Sequence, residues 1–206
     1  MQTEIGMRAF VVLAMGLAAC GGQRAAAPGA APVPAPVAMP AMDLGGQRVL
    51  ILPVQAAEGV GTRDEATSEL VFALAERDAR TQWVTPEQLR RALRGAPGYA
   101  ADPGALPDDP YIHHGERSIV DPLGGIVRRY SALTDARVVL IPRAARWMPG
   151  SGGGRVRMTA AVVDARSARV IWHGDAEGDE RPAFDRAALA SAAAALAERM
   201  LVAGSR

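Results

Sequence analysis

Five side chains of one short stretch have the types that bind metals or move protons. Asp108-Asp109, His113-His114 and Glu116 lie close together, with Asp102 nearby. Imidazole nitrogens and carboxylate oxygens at short spacing are zinc ligands. Adjacent histidines point in different directions, however, and the helical His-Glu-x-x-His spacing is absent. The competing expectation is a solvated acidic loop, with His113, His114 and Glu116 as weak metal candidates and no cofactor. Gly150-Ser151-Gly152-Gly153-Gly154 has the glycines of a phosphate-binding loop. It lacks the lysine and precedes a strand instead of a helix, so a hairpin loop is expected. All 23 basic residues are Arg. Schiff-base, Walker-lysine and Ser-Lys chemistry are therefore excluded. Ser118, Ser131, Ser151, Ser167 and Ser191 sit in no nucleophile elbow. No catalytic residue is assigned, and a hydrolase remains an alternative because Ser and His can meet through space.

The remaining reactive group is Cys20, the single cysteine. It follows Met7-Arg8, the apolar stretch Ala9 to Leu17, and Ala18-Ala19. A charged start, an apolar core of about 7–15 residues and small residues at a cut describe a secretory signal. Such a core is shorter than the roughly 20 residues that span a bilayer. The run Leu17-Ala18-Ala19-Cys20 resembles a lipobox. That resemblance implies cleavage between Ala19 and Cys20, diacylglycerol on the Cys20 thiol and acylation of the new amine. Lipidation also accounts for an unpaired cysteine in an exported chain. Gly21 stands where Asp often signals inner-membrane retention, so the likeness implies the periplasmic face of the outer membrane. The first six residues, Glu4 among them, fit a signal poorly, and the start is Met1 or Met7.

Residues 1–19 thus read as signal peptide and 20–42 as lipidated cysteine plus linker. Ala25 to Met42 carries no charge and repeats proline at 28, 32, 34, 36 and 40. Such a chain is a semi-rigid spacer, and from Gly21 to Met42 it reaches roughly 70 Å at most, at about 3.1 Å per residue. Residues 43–206 form one domain of ordinary size. With a formal net charge of +1 over 206 residues, nothing points to nucleic acid.

The elements of that domain follow from pattern. Arg48 to Val54 holds a continuous apolar run, a buried strand. Thr62-Arg63-Asp64-Glu65 is a capping box opening a helix to about Arg80, with Ala66, Leu70, Ala73 and Leu74 as its stripe. Gln82 to Val84 is a short strand. Thr85-Pro86-Glu87-Gln88 is a second capping box, with a helix to about Arg94. Residues 95–116, rich in Gly, Pro and Asp, read as a loop. Asp121-Pro122 caps a third helix through Ile126, Val127 and Tyr130 to Leu133. Arg137 to Trp147 contains Val138-Val139-Leu140-Ile141, apolar on both faces and so central. Arg155 to Asp164 and Arg169 to Glu177 form a hairpin. A last helix begins near Asp185, with Leu189, Ala192, Ala193, Leu196 and Met200 on one face. The fold class is α/β (α+β): one mixed sheet of about five strands, packed by three or four helices, in the order β-α-β-α-(α)-β-β-β-α.

Four features in this order resemble a known group. They are Leu52-Pro53-Val54, the step Val84-Thr85-Pro86-Glu87-Gln88-Leu89, Thr134-Asp135-Ala136-Arg137-Val138, and Val163-Asp164-Ala165 before Val170-Ile171-Trp172. Over residues 48–202 the chain is similar to the TolB amino-terminal-like fold. That group includes the penicillin-binding-protein activator (LpoB-like) lipoproteins and the periplasmic domain of the curli secretion lipoprotein. Two departures stand out: Ala168 occupies a turn position where the group has Gly, and the loop at 95–120 has no counterpart. The resemblance implies a non-enzymatic envelope adaptor, tied to the membrane by lipid and binding an envelope protein or peptidoglycan-associated partner. A secretion-assembly subunit is the alternative. It would need amphipathic β segments alternating over about 10 residues each, and 95–120 does not alternate. Trp83, Trp147 and Phe72 are the aromatic candidates for partner contact. Both tryptophans lie on or near strands, where packing is the ordinary role, and Phe72 falls off the apolar stripe of its helix.

Overall fold

A computed structural model describes residues 39–114 and 117–202. Its elements are β1 (Arg48–Ile51), β2 (Ala56–Glu58), α1 (Arg63–Arg77), β3 (Gln82–Val84), α2 (Pro86–Gly95), α3 (Leu123–Thr134), β4 (Val138–Gly150), β5 (Gly153–Asp164), β6 (Arg169–Glu177) and α4 (Arg186–Met200). One mixed sheet runs β3-β1-β4-β5-β6, and β2 pairs with β4 beyond the end of β1. β1 is parallel to β3 and β4, while β4, β5 and β6 are antiparallel. The expected class and order are found, with β2 as an added strand.

The apolar run of β4 accounts for the layering. Successive residues of a strand face opposite sides, so Val138 and Leu140 meet one layer and Val139 and Ile141 the other. On the first side lie Val49, Ile51, Val162 and Trp172, under Leu70 and Leu74 of α1 and Leu189 and Leu196 of α4. On the second lie Leu50, Leu52, Ala161 and Val163, under Leu89 of α2, Leu123, Val127 and Tyr130 of α3, and Ile112 and Ile119 of the long loop. Both layers draw their buried residues from the chain after Met39, and Met39 and Met42 pack against the first. Met42 also bridges Leu201 in parallel, its N–H donating to the Met200 carbonyl at 2.8 Å.

The helix starts have their local causes in place. The Glu65 N–H donates to Thr62 Oγ1 at 3.1 Å while the Thr62 N–H donates to Glu65 Oε2 at 2.8 Å. Thr85 and Gln88 repeat this exchange around Pro86. Asp121 Oδ1 accepts the Gly125 N–H at 2.7 Å, although Pro122 is the residue at the cap position of α3. α1 stops at Arg77, short of the expected Arg80. Asp78 breaks it by turning its carboxylate onto the Arg80 N–H at 3.0 Å and the Thr81 hydroxyl at 2.9 Å, which offers the backbone an alternative to the helix.

Two hairpin features also have physical reasons. The register of β4 against β5 shifts between Pro142 and Ala144, leaving Arg143 as the extra residue of a bulge. At the β5–β6 turn Ala168 takes φ 58°, the left-handed conformation that glycine adopts more cheaply. Asp164 fixes that turn by accepting from the Ser167 N–H at 2.9 Å and Ser167 Oγ at 3.0 Å.

Leu140 is fully buried, whereas Phe72 is 60% exposed. In denaturant unfolding of residues 37–206, Leu140→Ala should cost about 2–5 kcal/mol, and Phe72→Ala should stay within about 0.5 kcal/mol. Equal effects would contradict the two-layer arrangement.

Candidate functional surfaces

The stretch between α2 and α3 is laid against the second side of the sheet. Asp109, 5% exposed, organises it by accepting the Tyr111 N–H at 2.8 Å and the Val120 N–H at 2.7 Å. Gln55 holds it from the core side, donating to the Pro103 carbonyl at 2.9 Å and accepting the Leu106 N–H at 3.0 Å. The Tyr130 hydroxyl donates to the Ala101 carbonyl at 2.7 Å. Burial, and then the charge of Asp102, push that phenol above its ordinary range. Downstream, the Ile119 N–H donates to the Ala168 carbonyl at 2.8 Å and ties the loop to the start of β6.

His113 and His114 are exposed on this loop, and Glu116 lies outside the described residues. Sequence spacing did not reveal what stands around them. Arg143, placed by the bulge, reaches Asp108 Oδ1 at 2.6 Å. Its Nη1 is buried without a partner among the described residues. Loss of water pulls the His113 imidazole below its ordinary value, helped by the charges of Arg143, His173 and His114. His173, on β6, is held low by burial and then by His114 and Arg199. The fold thus brings His173, distant in sequence, to the adjacent pair His113 and His114, beside arginines. Among the described residues no three His, Cys, Asp or Glu side chains are placed to hold a metal ion. The edge of the His114 ring faces Tyr111 with centroids 6.4 Å apart, and Arg117 stands over Tyr111 at 5.5 Å.

Several polar groups that could do chemistry are occupied by structure. Ser68 donates to the Asp64 carbonyl and Ser191 to the Ala188 carbonyl, both within helices, and Ser167 belongs to the β5–β6 turn. Burial opposes ionisation of Asp164, but the Ser167 donors and Arg137 Nε at 2.8 Å outweigh it, and its carboxyl stays below the usual range. Asp78 behaves the same way: burial opposes its charge, and Thr81 and Arg80 overcome that.

The aromatic candidates part company. Trp83 is half-buried against the first layer, and its Nε1–H donates to the Asp78 carbonyl at 3.0 Å. Trp147 is half-buried too, packed edge-on to Phe184 with centroids 6.1 Å apart. A Cβ at Gly154 would come within 2.5 Å of the Trp147 ring, which gives the glycine run at the β4–β5 turn a packing role. Phe72 instead faces water beside a shallow groove of about 360 Å³, lined by Thr67, Ser68, Val71, Ala75 and Glu87. Above the second layer the sheet turns charged. Arg146 pairs with Glu58 at 3.1 Å, Arg157 with Asp175 at 2.9 Å, and Arg155 with Glu180 at 3.1 Å. Exposed pairs of this kind contribute little stability each. Ala19 and Cys20 lie outside the described residues.

The histidine cluster makes a pH prediction with a definite sign. Two imidazoles have folded pKa values below the ordinary one of about 6.5, so the unfolded chain binds protons first. Their stabilising contribution is complete above that value and is lost as pH falls through about 6.5 toward the lower folded values. The melting temperature should therefore hold between about pH 8 and 7 and decline from about 6.5 to 5, with a flatter decline in His113→Gln/His173→Gln. Asp78 and Asp164, held low, lose their contribution only in more acid solution, below about pH 4. A double variant with the parent's profile would show that the cluster does not couple to folding.

No family model matches the chain. No curated protein matches its sequence. Solved structures do match in arrangement. The LpoB C-terminal domain from Salmonella enterica aligns at 18% identity and TM-score 0.44, covering 66% of this chain and 84% of that one. A PelC dodecamer from Paraburkholderia phytofirmans aligns at 15% identity and TM-score 0.42, covering 79% and 94%. Lipoprotein GNA1162 from Neisseria meningitidis aligns at 14% identity and TM-score 0.38, covering 65% and 80%. The LpoB-like group read from residues 48–202 is thus among the solved domains to which this chain is similar.

Proposed function

We propose that this chain is an envelope lipoprotein, anchored through Cys20, whose α/β domain binds another envelope component without catalysing a reaction. The observation that carries the reading is the single cysteine. It stands at the end of Leu17-Ala18-Ala19-Cys20 and is followed by a proline-rich segment leading into a folded body. Acyl chains contribute about 0.8 kcal/mol per buried CH₂, and two or more make an anchor lasting. Gly21 favours the outer membrane. The hydrogen-bonded hydroxyls of Ser167 and Ser191 and the structural carboxylates Asp78, Asp109 and Asp164 favour binding over hydrolysis. The Phe72 groove is the surface offered for an envelope protein or peptidoglycan-associated partner, because an exposed aromatic beside a groove is the feature that binding hot spots use.

The anchor is tested by fatty-acid labelling in cells. Wild type should take up the label and Cys20→Ser should not; equal label in both would end the lipoprotein reading.

The adaptor role is tested by reach. A tether that cannot span the gap between two sites loses the effective-concentration advantage. Deleting Ala25 to Pro36 keeps the proposed lipid signal and spares Met39 and Met42, which pack on the core. The shortened protein should be lipidated and folded but fail to cross-link to its partner through Phe72. An equally long proline-rich replacement of different order should restore the contact. Undiminished cross-linking by the shortened form would make the segment passive.

A further inference from the structure

The starts of β1, β4 and β6 lie side by side at one end of the sheet. Register sets Val49 beside Val138, Val138 beside Asp164 and Asp164 beside Arg169. Arg48, Arg137 and Arg169 therefore form a row across this end, with Arg166 in the turn next to it. The acids here are largely spent. Asp164 holds Arg137 at 2.8 Å, and Arg80 takes Asp43 at 3.1 Å and Asp78 at 3.2 Å. Asp135 carries no such pair among the described residues. Arg48, Arg166 and Arg169 are exposed and have no ion pair among the described residues. α1 and α4 also end here, and their negative dipole ends are answered by Arg77 and Arg199 in their own last turns. The three free arginines are surplus to that need.

The same end carries a cleft of about 830 Å³, lined by Arg48 and Arg137 beside Asp43, Asp135 and Asp164, with Met42, Leu44, Val138 and Ile171 as its apolar part. The described chain begins here as well, since Met42 is paired to Leu201 at the bottom of α4. We propose that this end is a membrane-docking face that binds anionic phospholipid headgroups through Arg48, Arg166 and Arg169. Charge complementarity selects the ligand. The described chain begins at this same end, which selects the geometry. Docked in this way, the domain turns the ion-paired sheet surface of Arg146, Arg155 and Arg157 away from the bilayer. That a membrane is near rests on the anchor proposed above; affinity for anionic lipid does not.

Residues 37–206, which contain both core layers, are mixed with vesicles of phosphatidylcholine alone or with phosphatidylglycerol added. Binding is expected to the anionic vesicles only, with release in molar salt, where the screening length shrinks to about 3 Å. Each arginine near an anionic surface is worth about fivefold in partitioning, so R48Q/R166Q/R169Q should bind on the order of a hundredfold more weakly. R90Q/R146Q/R155Q, at exposed pairs elsewhere, should bind as the parent does. Equal binding to neutral vesicles, no binding to anionic ones, or equal losses in the two triple variants would overturn the proposal. The salt release requires no substitution, so it stands even if a variant folds poorly. Vesicle binding without fatty-acid label in cells would leave the docking face standing and remove the anchor; label without vesicle binding would do the reverse.

Discussion

A central strand that is apolar on both faces must be covered twice. Val138 to Ile141 of β4 is that strand, paired to β1 on one edge and β5 on the other. Covering one face takes α1 and α4. Covering the other takes α2 and α3, and these two leave a gap that Ile112 and Ile119 fill. The long loop is therefore recruited as a piece of the core wall. Past Ala145 no helix lies over the second face. There the outward side chains become Arg146 and Arg157, in ion pairs with Glu58 and Asp175. One strand thus sets both the layering and the place where apolar packing gives way to charge.

Three nearly buried carboxylates do the joinery around that core. Asp78 ends α1, Asp109 folds the loop, and Asp164 shapes the β5–β6 turn. A buried carboxylate is costly unless donors surround it, and each of these is met by backbone N–H groups close in sequence. Two of them also recruit arginine. Acids that composition offers as catalytic groups are in this way committed to backbone geometry.

The molecule has distinct ends. Where β1 and β4 begin, arginines without ion pairs among the described residues, a cleft of mixed polarity and the first described residues coincide. Elsewhere lie the histidine loop, the paired charges of the sheet and, on the flank of α1, the exposed ring of Phe72. In the function proposed above, the cationic end would face a membrane while the separate aromatic groove faces a partner.

Much of the fold was legible without coordinates. The two capping boxes at Thr62 and Thr85, the both-face apolar run of β4 and the stripe of α4 are local patterns, and local hydrogen bonding and water exposure write them directly into residue order. β2 was invisible, because Ala56-Ala57-Glu58 has no strand pattern of its own. It pairs only because the chain, after Leu52, is carried alongside the bulged stretch of β4. The loop read as solvated acid proved to send Ile112 and Ile119 into the core, since their partner is a sheet face assembled from distant strands. Sequence spacing likewise placed His113 beside His114 but could not show that His173 and Arg143 stand with them. Nor could it show that Arg48, Arg137 and Arg169 share one end. Those neighbours are far apart in the chain, and only strand register, set by which face of each strand must be buried, brings them together.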